Sequence, residues 1–192
     1  IESFDKLTND DYREAIIEGM KKQAERIREI AENNEAPTFK NTIAALDRSG
    51  DELTRAESTF GPLTSSNSTA ENRALDKELS PLLSAHSDDI YMNQKLFERV
   101  KKVYDEADST TLNKEEMKVL KNIYKRFERN GANLSDADKE KLRKLNLEIS
   151  DLQLQFSQNL LHETNNTYVT VDRIEDLDGL SQSDIERAYA MA

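Results

Sequence analysis

The chain has 192 residues and a formal charge of −11, with 38 acidic against 27 basic side chains, no cysteine, 5 glycines and 3 prolines. That length suits one ordinary domain, and the negative balance argues against a duplex nucleic-acid face or an anionic membrane surface. Disulfides and thiolate metal sites are excluded, no apolar run approaches the roughly 18 residues that span a bilayer, and scarce glycine, proline and β-branched runs favour helix.

Leu7-Thr8-Asn9-Asp10-Asp11-Tyr12 reads as a helix start, in which Thr8 caps, Asp11 closes the box and Leu7 staples onto Tyr12. Tyr12, Ile16, Met20, Ile27 and Ile30 give the buried stripe, and close approach of a neighbouring helix is the ordinary reason for Gly19 inside it. Asn33 to Pro37 breaks the pattern. Thr38 restarts it with Phe39, Ile43 and Leu46 inward as far as Ser49-Gly50, and Leu53, Ala56 and Phe60 carry a third helix. Gly61-Pro62 predicts a kink or stop near Phe60, because proline removes an amide donor and clashes one turn back.

Ser65 to Thr69 is the most loop-like stretch. Thr69 then caps a helix with Leu75, Leu79, Leu82 and Leu83 inward, interrupted by Pro81. Asn93 caps the next, with Leu96, Phe97, Val100, Val103 and Tyr104, and Asn113 with Glu116 opens another that ends at Asn130-Gly131. The short loop to Leu134 predicts that this helix lies antiparallel to the one that follows. That last helix, about 135–166, opens at Ser135 and Asp138 and carries Leu142, Leu145, Ile149, Leu152, Phe156 and Leu160 on one face. Leu147, Leu154 and Leu161 add a second strip, which predicts cover from two directions, and its length of roughly 45 Å predicts that the shorter helices pack along it. Residues 167–172 are β-prone but lack a hairpin mate, so the expected fold is an all-α multi-helix bundle with one long central helix and at most one short strand. Residues 1–192 read as a single helical region without an internal domain boundary. The start at Ile1 and the helix opening at Ser181 make both ends look cut.

Chemistry is sparse. Only His86 and His162 are present, and His162-Glu163 begins an H-E-x-x-H pattern that fails at Asn166, so a zinc helix with two imidazoles on one face is absent. The pairs Asp10-Asp11, Asp88-Asp89, Glu115-Glu116 and Asp136/Asp138 read as caps and dipole partners at helix starts or in turns rather than as acid–base dyads. There is no G-x-S-x-G elbow, phosphate loop or EF-hand, and the sequons at Asn67 and Asn165 carry no weight without a secretory route. The residues by themselves give a soluble, acidic helical module with no catalytic, cofactor-binding or metal residue.

Glu35-Ala36-Pro37-Thr38-Phe39, followed by Asn41-Thr42-Ile43, Ala45-Leu46 and Ser49-Gly50, closely resembles the signature near the start of the thimet oligopeptidase-like zinc peptidases. Further blocks keep that family's order: Ala85 to Ile90 with Asn93, Leu96-Phe97 and Arg99-Val100; Phe127 to Ala132 with Leu134-Ser135 and Asp138-Lys139; and Leu145-Asn146 through Leu160. The bacterial peptidyl-dipeptidase branch fits best, and oligopeptidase A-like members share much of the pattern. Gly61-Pro62 departs from the usual run. The resemblance implies the N-terminal part of a larger, two-lobed helical metallopeptidase that hydrolyses short unstructured peptides by removing C-terminal dipeptides. This part would form some of the channel wall and partner the C-terminal catalytic part of the same chain, with no nucleic-acid or membrane partner, in a bacterial cytoplasm or periplasm. Zinc and the H-E-x-x-H helix would lie in the missing part, so no catalytic or metal residue transfers to positions 1–192, and no activity is expected from them alone. The alternative is a free-standing helical interaction module derived from the same fold.

Overall fold

The computed structural model describes residues 6–66, 69–108, 110 and 112–191. It is helical throughout, and the described residues form no strand. The helices are α1 (Asn9–Ala31), a π-helical turn (Phe39–Ala44) running into α2 (Ala45–Ser49), α3 (Asp51–Ser66), α4 (Ala70–Tyr91), α5 (Gln94–Glu106), α6 (Lys114–Arg129), α7 (Asp136–Asn166) and α8 (Gln182–Met191). Two units are distinguished, residues 1–154 and 155–192, and α7 runs through the division.

The helix starts lie where local chemistry places them. Thr8 accepts from the Asp11 amide while Asp11 accepts from the Thr8 amide at 2.7 Å. Thr38 with Asn41 and Asn113 with Glu116 repeat that reciprocal box, and the side chains of Thr69, Asn93 and Ser135 cap α4, α5 and α7. Each box satisfies two amides that would otherwise lack a partner in the first turn.

In the first unit the apolar stripes meet in two clusters. One joins Tyr12 and Ile16 of α1 to Leu53, Ala56 and Phe60 of α3 and Leu75 and Leu79 of α4, with Leu7 packed against it as the staple requires. The other gathers Ile27, Ile30, Ile43, Leu46 and Ile90 around Leu96, Phe97, Val100 and Val103 of α5 and Leu120 and Phe127 of α6. Phe127 stacks on Phe97 at 5.8 Å between centroids and meets Tyr91 edge-on at 5.1 Å. Gly19 is the contact point of α1 and α3: a Cβ there would lie 2.9 Å from the Leu53 Cα, closer than any backbone allows.

Several expectations are corrected. Helix α3 does not stop near Phe60 but runs through Gly61-Pro62 to Ser66, and α4 runs uninterrupted through Pro81. A proline in a helix interior costs about 3 kcal/mol, and α4 carries buried side chains on both sides of its proline, Leu75 and Leu79 before it and Ile90 after it. The loop expected from Ser65 is therefore shorter, and its residues 67–68 lie outside the described residues, as does Ile1. Thr38 restarts a wide π turn rather than a regular helix.

The long helix forms over the expected span, but its apolar face is not covered. Leu145, Ile149 and Leu152 stay half or more exposed, and Lys139 is its one buried residue. Within the first unit no extended seam joins α6 to α7. Gly131, at φ 88°, turns the chain sharply between them, and Leu142 and Leu134 close over that glycine.

In the second unit, α7 ends at Asn166, residues 167–173 run without ladder or turn, a 3-10 turn spans Ile174–Leu177, and Ser181 caps α8. None of its described residues is buried. The β-prone 167–172 segment forms no strand because no partner segment lies alongside to accept its backbone bonds.

Candidate functional site

The groups with possible chemistry are dispersed. His86 sits half-buried on α4, its Nε2 2.8 Å from Gln23 Oε1, and burial pushes its pKa down while nearby Asp89 opposes the shift. His162 is exposed on α7 with its Nε2 2.9 Å from Asn166 Nδ2, so the residue that breaks the H-E-x-x-H pattern is its neighbour one turn on. Among the described residues, no group of three or more His, Asp or Glu is placed to hold a metal ion. These residues do not fit a zinc site, and no metal-assisted step is assigned to them.

Three of the acidic pairs lie in first turns, Asp10-Asp11 on α1, Glu115-Glu116 on α6 and Asp136/Asp138 on α7. Asp88-Asp89 does not. It occupies the last turn of α4, where the helix dipole disfavours carboxylates. Asp88 is buried, which raises its pKa, and Asn146 of α7 donates to its Oδ1 at 2.7 Å, partly opposing that rise together with Arg143. Arg143 donates to Asp89 Oδ1 at 2.7 Å. Lys139, also buried, donates to the Met92 carbonyl at 3.1 Å and to Gln94 Oε1 at 3.3 Å, placing a cation at the C-terminal end of α4. The first three turns of α7 are thus clasped to the junction of α4 and α5 by four hydrogen bonds from three side chains.

A second polar knot centres on buried Arg99 of α5. Its guanidinium donates to the Asn33 carbonyl at 2.6 Å, the Glu35 carbonyl at 3.0 Å and Asn41 Oδ1 at 3.4 Å. One arginine therefore shapes the irregular 33–41 segment and the cap of the π turn. A third links α1 and α3: Glu52 accepts from Lys22 at 2.8 Å and Arg26 at 2.6 Å, contacts that hold its carboxyl below the usual range.

These knots give the sequence blocks a physical meaning. The 35–43 block meets Arg99, the 85–90 block meets Asn146, Lys139 meets the α4–α5 junction, and Phe127 meets Phe97. Residues of the first three blocks, and Asn146 of the fourth, hold helices to one another rather than converging on a reacting atom, whereas Leu145, Leu152, Phe156 and Leu160 of the fourth are exposed. Sequence reading did not single out the packing roles of Arg99, Lys139 or Asn146. The only signal was their membership in the blocks, because the partners lie 45 to 66 positions away.

What remains at the surface is an apolar face on α7 and a cleft of about 500 Å³ between Pro81 of α4 and Leu147 and Leu154 of α7. No helix among the described residues is long and apolar enough to cross a membrane.

Taken together, the fold and its polar knots define a helical scaffold whose sequence blocks are structural. No family model matches the chain. Comparison with known proteins gives 39% identity over 189 residues with the dipeptidyl carboxypeptidase of Escherichia coli K12, covering 98% of this chain and 28% of that protein. The Salmonella typhimurium dipeptidyl carboxypeptidase is 36% identical over the same shares, and oligopeptidase A of Haemophilus influenzae is 26% identical over 81% of this chain and 23% of its own length. The chain is homologous along nearly its whole length to the dipeptidyl carboxypeptidases and oligopeptidases that its blocks resemble, and it spans about a quarter of the length of those relatives.

Proposed function

We propose that residues 1–192 are the N-terminal part of a bacterial zinc metallopeptidase that removes C-terminal dipeptides from short unstructured peptides. The observation that carries this is the 39% identity with a dipeptidyl carboxypeptidase across 98% of the chain, above the 26% shared with an oligopeptidase A. In this reading the chain is one helical region of a larger two-lobed protein. It lines part of the substrate channel and packs on a C-terminal catalytic part that carries the H-E-x-x-H helix and the zinc. Catalytic and metal residues lie outside positions 1–192, and the protein acts in the cytoplasm or periplasm without a nucleic-acid or membrane partner.

The test is to read the gene beyond codon 192 and express its whole product. Expected are an H-E-x-x-H segment with a later Glu, chelator-sensitive release of dipeptides from the free C-terminus of a short peptide, and no turnover or stoichiometric zinc in the 192-residue chain alone. A reading frame that closes shortly after codon 192, or a full product that cuts only internally, would overturn the peptidyl-dipeptidase assignment.

A further inference from the structure

The segments that join helices in the first unit are polar and carry residues suited to turns, such as Asn33-Asn34-Glu35-Ala36-Pro37 before the π turn and Gly131 to Ser135 before α7. Their backbones are also tied down. The Glu35 amide donates to Asn33 Oδ1 at 2.8 Å, Arg99 holds the Asn33 and Glu35 carbonyls, and the Leu134 amide donates to the Gly131 carbonyl at 3.0 Å.

The stretch after α7 in the second unit is the opposite on both counts. Thr167-Tyr168-Val169-Thr170-Val171 has no glycine, proline or charge, and all but Tyr168 are β-branched. Linkers and disordered segments are poor in aromatic and β-branched residues, so this composition belongs to a strand. Yet residues 168–172 make no hydrogen bond, ion pair or ring contact among the described residues, and Tyr168 and Val169 are 80% and 89% exposed. Both flanks are ordered by local bonds: Asn166 at the end of α7 meets His162, and Arg173 donates to Asp176 of the 3-10 turn at 2.7 Å. Arg173 itself has extended backbone, φ −123° and ψ 133°. Alternation sends Tyr168 and Thr170 to one side of such a strand and Val169 and Val171 to the other. A strand apolar on both sides, without the lysine or proline that guards an open edge, is one that is covered on both faces.

We infer that residues 167–172 are an unmated β-strand, which joins a sheet formed by the part of the same protein lying outside residues 1–192. The inference rests on the reading of the chain as part of a longer peptidase, and it names a segment through which the two parts are joined. A second copy of the chain, or an extended peptide, would add one strand and leave a two-stranded ribbon with both faces in water, which is marginally stable. A folded body that brings further strands and cover for both faces meets the need. About three quarters of the length of the dipeptidyl carboxypeptidases lies outside the stretch they share with this chain, ample for such a body.

The test is amide hydrogen exchange, followed by mass spectrometry, on the full gene product and on the 192-residue chain. In the full product, residues 167–172 are expected to exchange at least about 100-fold more slowly than in the shorter chain, where they should exchange nearly as an unfolded peptide does. T170V keeps the branched Cβ and should retain that protection, whereas T170A, the better helix former, should lower it about fivefold. At least one of V169P and T170P, whose amides point to opposite sides, should abolish it. Free exchange of 167–172 in the full product, or T170A better protected than T170V, would overturn the inference. Protection that appears in the 192-residue chain as its concentration rises would assign the mate to a second copy, and protection that requires an added peptide substrate would assign it to the substrate. Either result overturns the inference as well. A full product that releases dipeptides while 167–172 exchanges freely would sink this inference and leave the peptidase reading standing, whereas a reading frame closed shortly after codon 192 would sink both.

Discussion

Leu96, Phe97, Val100 and Val103 on α5 recur at the same helical spacing as Leu145, Ile149 and Leu152 on α7, yet the first group is 0–7% exposed and the second 50–55%. Both helices have the apolar face that three-and-four spacing creates. On α5, the π turn, α1 and α6 supply the opposite surface. On α7, only the first turns are held, and by polar groups at that. Periodicity thus reports that a helix has a face to bury. It does not report what buries it.

The sharpest way to break this comparison is to delete one aromatic ring from each setting. F127A removes a fully buried ring stacked on Phe97 and is expected to cost about 3–5 kcal/mol in urea unfolding. F156A on α7, where the ring is 68% exposed, should change stability by less than about 0.5 kcal/mol. Equal costs would mean that the α7 face is covered in solution.

R99M should cost about 2–3 kcal/mol, because it leaves the Asn33 and Glu35 carbonyls without their charged donor and frees the 33–41 segment. Hydrogen exchange should show that loss first at the amides of the π turn. G19A should cost about 1–2 kcal/mol despite alanine's better helix propensity, since the added Cβ must displace the Leu53 backbone. A stabilised G19A would show that α1 and α3 do not approach as closely as they do here. The triple change L145Q/I149Q/L152Q should leave stability within about 0.5 kcal/mol and sharply lower binding of a hydrophobic dye, which reads the open face directly.

The smallest effect concerns pH. Burial lowers the folded pKa of His86 below its ordinary 6.5, so the unfolded chain binds the proton more readily. Its contribution to stability is therefore present above that value and is lost as pH falls through the folded pKa. H86Q should flatten the slope of stability against pH just below 6.5. An unchanged slope there would show that His86 does not set it.

Much of the fold was legible because its signals are local. Thr8 with Asp11, Asn113 with Glu116 and Ser135 with Asp138 each act over three residues, so the sequence places those helix starts directly. The inward stripes of α1 and α5 follow from spacing in the same way, as does the close approach at Gly19, whereas Leu82 of α4, read as inward with Leu75 and Leu79, is exposed. The proline of α4 was misread for the opposite reason. Pro81 argues against a helix locally, but flanking burial of Leu79 and Ile90 outweighs it. Asp88-Asp89 was misplaced because an acidic pair looks alike at either end of a helix until the end is known.

By itself, then, the sequence determined an all-helical chain, the starts of its helices, their apolar faces and its relation to a family of peptidases, since each of these is written in neighbouring residues or in blocks of them. Only the tertiary structure decided which apolar faces are covered, which prolines a helix tolerates, and that residues of the first three family blocks make contacts between helices. Those outcomes depend on distances between residues far apart in the chain, and burial and charge pairing act through such distances rather than through order along the backbone.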